Sequence, residues 1–114
     1  MAKHKYKNTK VEYDGRTFDS KKEKDRYIEL KLLERAGEIT DLELQKVFVL
    51  VPAVKLNGRT KPAVKYLSDF SYVQVKDGQT IVEDVKSPVT RKLAVYRLKI
   101  HLLKHVHGIE IKEI

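Results

Sequence analysis

Asp69 and the run Glu83-Asp84-Val85-Lys86 place three carboxylates and an ammonium in the most strand-like part of the chain, YLSDFSYVQVKDGQTIVEDVKS at residues 66–87. Strands disfavour Asp, and a sheet covered on both faces holds no bare carboxylate without a partner. Side chains alternate faces along a strand, so Asp84 and Lys86 share a face and Glu83 points to the other. The dipeptide Asp77-Gly78 is a hairpin signal and lies roughly midway between Asp69 and Asp84, which sets the two aspartates nearly opposite each other. Neighbouring carboxylates repel, and one stays protonated unless a cation bridges them. Two such oxygen ligands suit Mg2+, which keeps several waters and takes its other ligands from a phosphate substrate. Lys86 is then placed to orient or help deprotonate an attacking water, or to neutralise charge developing on a phosphate.

An acid two residues before a lysine also occurs at Asp19/Lys21, Glu29/Lys31 and Glu110/Lys112. Local structure sorts these pairs. Residues two apart on a helix do not face each other, which removes Glu29/Lys31, and Asp19/Lys21 lies at a helix start. Glu110/Lys112 reads as a strand, but the element before it is a helix with no acid in its apolar stripe. Only Asp84/Lys86 follows a strand with its own embedded acid. The plainer alternative for Asp84 and Lys86 is an exposed same-face ion pair, worth about 0–1 kcal/mol.

The positioning elements are legible in outline. VEYDGRTF reads as a hairpin around Asp14-Gly15. A helix over about residues 20–36 starts with Ser20 and Glu23, a capping-box pair, buries Tyr27, Leu30 and Leu33, and stops at Gly37. Glu23 lies on the stripe of Tyr27 and Leu30 and so points toward the sheet. Residues 46–54 read as a strand, Asn57-Gly58 as a turn, residues 63–76 as a long strand, and TIVEDVK as the third strand of a meander. Ser87-Pro88 opens a second helix with a buried stripe of Leu93, Tyr96, Ile100 and Leu103, ended by Gly108. IEIKEI alternates as a final strand. It follows its predecessor through a helical crossover, so the two lie parallel. The expected fold is α+β: one domain with an αβββαβ core, a mixed sheet with a helix against each face, and an N-terminal hairpin.

The 114 residues suit one domain over 11–114, preceded by a basic arm at 1–10 with almost nothing to bury. The 41% of apolar residues is enough to build a core, yet no apolar run approaches the roughly 18 residues of a membrane span. The absence of Cys excludes disulfides and thiolate metal sites. No apolar h-region follows the basic start, and a cytoplasmic setting is expected. A formal charge of +8 and a pI near 9.6 favour a polyanionic partner, nucleic acid ahead of an anionic membrane surface.

Asp69 followed by Asp84-Val85-Lys86, on strands after an acidic helix, resembles the PD-(D/E)XK nuclease superfamily. The likeness is closest to small phage-encoded endonucleases with segments like FDSKKEKDRYIELKLLERAGEITDLELQ, a DF strand and a VEDVKS strand, and covers roughly residues 13–108. Ser68 stands where the superfamily name has Pro, and Asp84 where many members have Glu. The resemblance implies a restriction-endonuclease-like fold and a Mg2+-dependent DNA endonuclease, with Mn2+ able to substitute. It makes Asp69, Asp84 and the Val85 carbonyl metal ligands and Lys86 the catalytic lysine. Glu23 would complete the acidic cluster, directly or through water, or it is only the capping partner of Ser20. Gln45 matches an accessory polar position before the first core strand. Resolution of branched DNA such as a Holliday junction is the implied task, in the cytoplasm of a bacterial host, and paired cuts would need a homodimer.

For DNA contact the expected cations are Lys3, Lys5 and Lys7 of the arm, with Lys10, and Arg91 and Lys92 after the third strand. The arm is equally readable as a solubilising tail. His101, His105 and His107 have helical spacing but no evident third ligand, so they read as solvated rather than zinc-binding. The rival to a nuclease is a non-catalytic nucleic-acid-binding module using the same positive charge.

Overall fold

The structure, a computed structural model, describes residues 9–114. Lys3, Lys5 and Lys7 lie outside the described residues. The N-terminal hairpin pairs β1 (Val11–Tyr13) with β2 (Arg16–Phe18) across Asp14-Gly15, both at positive φ as a tight two-residue turn requires. Helix α1 (Lys21–Arg35) is capped by the Ser20 hydroxyl, which accepts from the Glu23 N–H at 3.1 Å, and it stops at Gly37 with φ 79°.

Beyond α1 the strands are more numerous than the sequence implies. β3 (Ile39–Leu44) is a strand that sequence reading passed over, because ITDLEL carries two acids and reads as a loop after the helix. The expected strand at 46–54 splits into β4 (Val47–Val51) and β5 (Val54–Leu56), parted by Pro52, which has no N–H to donate to a ladder. The expected strand at 63–76 splits into β7 (Val64–Leu67) and β8 (Phe70–Gln74), and β6 (Arg59–Lys61) pairs with β5 across Asn57-Gly58. The break between β7 and β8 matches a bend between β3 and β4, where Gln45 takes φ 55°. The ladder continues round this bend, from Gln45 N–H to the Asp69 carbonyl at 3.1 Å and from Ser68 N–H to the Lys46 carbonyl at 3.0 Å.

The central sheet runs β10-β9-β8-β3, with β9 (Thr80–Asp84) antiparallel to β8 and β10 (Ile111–Glu113) parallel to β9. The mixed sheet of an α+β domain is therefore present, including the parallel pair expected from the helical crossover. That crossover is two helices, not one. Ser87 caps the short α2 (Pro88–Arg91), then Leu93 turns extended and the helical phase restarts in α3 (Ala94–His107). The restart moves Leu93 out of the buried stripe and leaves it exposed, while Tyr96 and Leu103 are buried. Among the described residues no helix is long and apolar enough to cross a membrane.

Two apolar clusters sandwich the sheet. Phe70 and Tyr72 of β8 pack with Tyr27 and Leu30 of α1, Phe18 and Ile39, while Val82 of β9 packs with Phe48, Leu50, Tyr66, Tyr96 and Leu103 under α3. Each such side chain contributes about 1.5–3 kcal/mol by leaving water. Glu83 sits on the α1 face, fully buried, between Arg26 and Tyr72. Its oxygens accept from Arg26 Nε at 2.8 Å and Nη2 at 2.5 Å, and from the Tyr72 hydroxyl. Hydrogen bonding to Glu83 pushes the Arg26 guanidinium up, and burial, then the same carboxylate, pushes up the Tyr72 phenol. Arg26→Ala leaves this carboxylate buried without its cation and should cost about 3–5 kcal/mol in urea unfolding. Glu29→Ala, which removes only an exposed partner of Arg26 at 3.5 Å, should cost under about 1 kcal/mol in the same assay.

Candidate metal and phosphate site

Asp69 and Asp84 come together at the end of the β8–β9 ladder. Phe70 pairs with Glu83, so the next position outward sets Asp69 opposite Asp84. Each aspartate holds the other's strand. Asp69 Oδ2 accepts the Val85 N–H at 2.7 Å, and Asp84 Oδ1 accepts the Asp69 N–H at 3.2 Å. Lys86 emerges on the same face as Asp84, with Nζ 3.8 Å from Asp84 Oδ1 and 3.9 Å from Asp69 Oδ2. Glu23 closes the group from the first turn of α1, near enough for the Asp69 charge to act on it. Glu23 also caps, but one residue beyond a regular capping box: its Oε1 accepts from the Asp19 N–H at 3.2 Å rather than from Ser20. The same side chain thus caps the chain before α1 and lines the cleft beside Asp69.

Asp19, Ser20, Glu23, Asp69, Val85, Lys86, Ser87 and Thr90 line a cleft of about 140 Å³. A larger cleft of about 360 Å³ near the other end of α1, between Leu33, Ile39 and Val75, has no such group of acids. Burial governs the protonation of the site. It raises Glu23 to about 7, with the Asp69 charge adding to the effect and the Asp19 N–H opposing it. It raises Asp84 to about 6, against the pull of Lys86 and the Asp69 N–H and with help from the Glu113 carboxylate. Asp69 is raised by the same desolvation, offset by the Val85 N–H and Lys86.

Among the described residues no three His, Asp or Glu side chains form a ready-made metal cage. The donor set nonetheless fits Mg2+, which binds through one or two carboxylates plus waters and phosphate oxygens. Asp84 Oδ2 is buried with no hydrogen-bond partner among the described residues, an arrangement that is costly unless a cation or proton takes it up. Asp69, Asp84 and the Val85 carbonyl are the groups that would hold the ion.

Other expected residues are placed differently. The Gln45 side chain is exposed, and the residue joins the site through its main chain, bonded to the Asp69 carbonyl. Arg91 Nη2 donates to the Ile114 carbonyl at 2.5 Å, so part of its guanidinium is engaged within the fold; Lys92 is exposed. Lys10 pairs with Asp19 at 3.0 Å. His101 and His105 are exposed, and His107 bonds the Val49 carbonyl at 2.7 Å. Sequence reading missed Glu113, which lies beside Asp84 in the β9–β10 register and accepts from the Tyr96 hydroxyl at 2.7 Å. Its signal was there: Glu113 continues the alternation of Ile109 and Ile111, which pack under α3. It also missed Arg26, one helical turn after Glu23.

Glu23 and Asp84 bind protons more tightly folded than unfolded. Their contribution to stability is therefore present near pH 4 and is lost as pH rises through about 6 and 7. In EDTA the melting temperature should fall between pH 5 and pH 8 by an amount that Asp84→Asn and Glu23→Gln each reduce. The same fall in both variants would show that these carboxyls titrate normally.

No curated protein and no solved structure matches the chain. One family model does match it, over residues 3–111, nearly the whole length. The chain belongs to the family described as protein of unknown function (DUF1064).

Proposed function

We propose that this chain is a Mg2+-dependent DNA endonuclease organised like the PD-(D/E)XK nucleases, selective for DNA structure such as a four-way junction rather than for sequence. One observation carries the reading. Two aspartates face each other at the end of the central ladder, with a lysine ammonium within 4 Å of both and one buried oxygen of Asp84 without a partner among the described residues. A stability-driven core gains nothing from such an arrangement, because burying carboxylates costs free energy unless they are paired. Perturbed acids lining a cleft are the usual mark of a working site.

When bound, Mg2+ or Mn2+ would supply Lewis acidity toward a phosphate oxygen and lower the pKa of a water. The protein does the rest. Asp69 and Asp84 are held rigid by each other's strands, so they present oxygens without reorganising. Lys86 Nζ neutralises charge that develops on the phosphate, or orients the attacking water as its proton leaves. Glu23, poised near neutrality, holds a proton at Oε1 or Oε2 at the edge of the same cleft. One site cuts one strand, so symmetric resolution of a junction takes two copies.

A second reading has its own support. Lys86 already balances the two aspartates, as it would in a module that binds nucleic acid without cutting it. Purified protein incubated with plasmid and branched DNA in Mg2+ or EDTA separates the two. Cleavage in Mg2+ alone, abolished by Asp69→Asn and by Asp84→Asn, is the expected outcome. Binding with no cleavage in any divalent metal gives the second reading. Independently of activity, Mg2+ or Mn2+ should raise the melting temperature of the native chain and not of Asp84→Asn.

Lys86→Ala should slow cleavage on the order of 10²-fold or more, the scale of losing one electrostatic stabiliser. DNA binding in Ca2+ should stay within a few-fold, since only one cation among 24 basic residues is removed. Lys112→Ala, on the neighbouring strand, should change neither. Weakened affinity with normal cleavage at saturating DNA would make Lys86 a phosphate grip and remove it from the chemistry.

A further inference from the structure

Residues 46–67 form a two-stranded arm whose outer half lies outside the core. Its base, β4 paired with β7, turns Phe48, Leu50 and Tyr66 toward α3. Its tip, β5 paired with β6, packs chiefly on itself, and every residue from 52 to 62 is exposed. A hairpin of this size is marginal on its own, so burial does not account for it. The arm is also one-sided in charge. It carries Lys46, Lys55, Arg59, Lys61 and Lys65 and no acid, five of the formal net +8. Among the described residues Lys55, Arg59, Lys61 and Lys65 have no salt-bridge partner; Lys46 lies 3.8 Å from Glu43.

The arm is rooted at the candidate site. β7 runs through Ser68 directly into Asp69, and the bend that starts β4 is bonded to the Asp69 carbonyl. From Asp69 back to Arg59, through β7 and β6, the chain reaches at most about 34 Å, close to one helical turn of duplex. Register fixes which side chains act together. Leu56 pairs with Arg59 and Val54 with Lys61, so two cations and two apolar side chains share one face of the tip, and Lys55 lies on the other.

We infer that the β5–β6 ribbon is a duplex-binding arm that holds nucleic acid beside the Asp69–Asp84 site. A two-stranded ribbon fits the major groove, and cations on both of its faces meet the phosphates of both flanking strands. Val54 and Leu56 then lie against sugars and base edges, where apolar contact is favourable. The inference rests on the nucleic-acid partner of the proposed function, but not on catalysis or metal.

The test is binding of a labelled duplex and a four-way junction in EDTA across a salt series, with native protein and the Lys55→Ala/Arg59→Ala/Lys61→Ala variant. These side chains are exposed and make no internal bond among the described residues, so the variant should melt like the native chain. Expected is affinity weaker by about tenfold or more, with a log–log salt slope shallower by up to about 2.7, at about 0.9 for each phosphate no longer neutralised. An unchanged affinity and slope would overturn the inference. So would native DNA binding in this variant together with a self-associated native chain that Val54→Thr/Leu56→Thr dissociates, which would make the tip an interface between copies. The proposed function fails on a different result, the absence of Mg2+-dependent cleavage, which leaves this binding measurement intact.

Discussion

Everything that positions the candidate site depends on the reciprocal contact of Asp69 and Asp84. Each carboxylate accepts a main-chain N–H from the other's strand, at 2.7 Å and 3.2 Å. The bonds do two opposed things. They reinforce the end of the β8–β9 ladder, beside the main-chain bond from the Asp69 N–H to the Glu83 carbonyl, and they bring two acids into a buried space where neither is comfortably charged. Lys86 relieves part of that cost from 3.8–3.9 Å, a separation that gives attraction without a tight bond. The site is held in place by geometry and left electrostatically unfinished.

Glu83 shows what a finished buried carboxylate looks like one residue away. On the opposite face of β9 it receives both ends of the Arg26 fork and the Tyr72 hydroxyl. Alternation along a single strand thus assigns neighbouring acids opposite fates. Glu83 ties α1 to the sheet and stabilises the scaffold, and Asp84, on the face turned to α3, keeps an oxygen with no partner among the described residues. Arg26 and Glu23 repeat the contrast on α1 one turn apart, one joined to the scaffold and one to the cleft.

The bend at Gln45 and Ser68 links this site to the basic arm. The left-handed backbone at Gln45 redirects the strand, while Ser68 donates its N–H and its hydroxyl to the Lys46 carbonyl, each at 3.0 Å. Through the bend Asp69 keeps its main-chain bonds to Glu83 and Gln45 while its side chain turns to Val85, and β4 and β7 continue as a separate two-stranded ladder. A straight strand over 63–76 would have supplied neither.

The local and periodic features were legible in the sequence because they depend on near neighbours: the turn at Asp14-Gly15, the Ser20 cap, the stop at Gly37, the stripe of Tyr27 and Leu30, and the opposite faces of Glu83 and Asp84. The hairpin around Asp77-Gly78 also brought Asp69 and Asp84 into register, since strand pairing propagates from a turn. Tertiary structure alone decided the rest. β3 exists because β8 needs a partner, against the preferences of ITDLEL. The helix after Ser87 breaks at Leu93 to set Tyr96 and Leu103 against the sheet. Glu83 finds Arg26, and Asp84 lies beside Glu113, because packing joins segments far apart in the chain. Charge shows the division most clearly. The sequence carries the net +8 and an acid-free run over 46–67, but only the pairing of β4 with β7 and β5 with β6 gathers those cations into a ribbon rooted at Asp69, since electrostatic fields depend on distance in space and not along the chain.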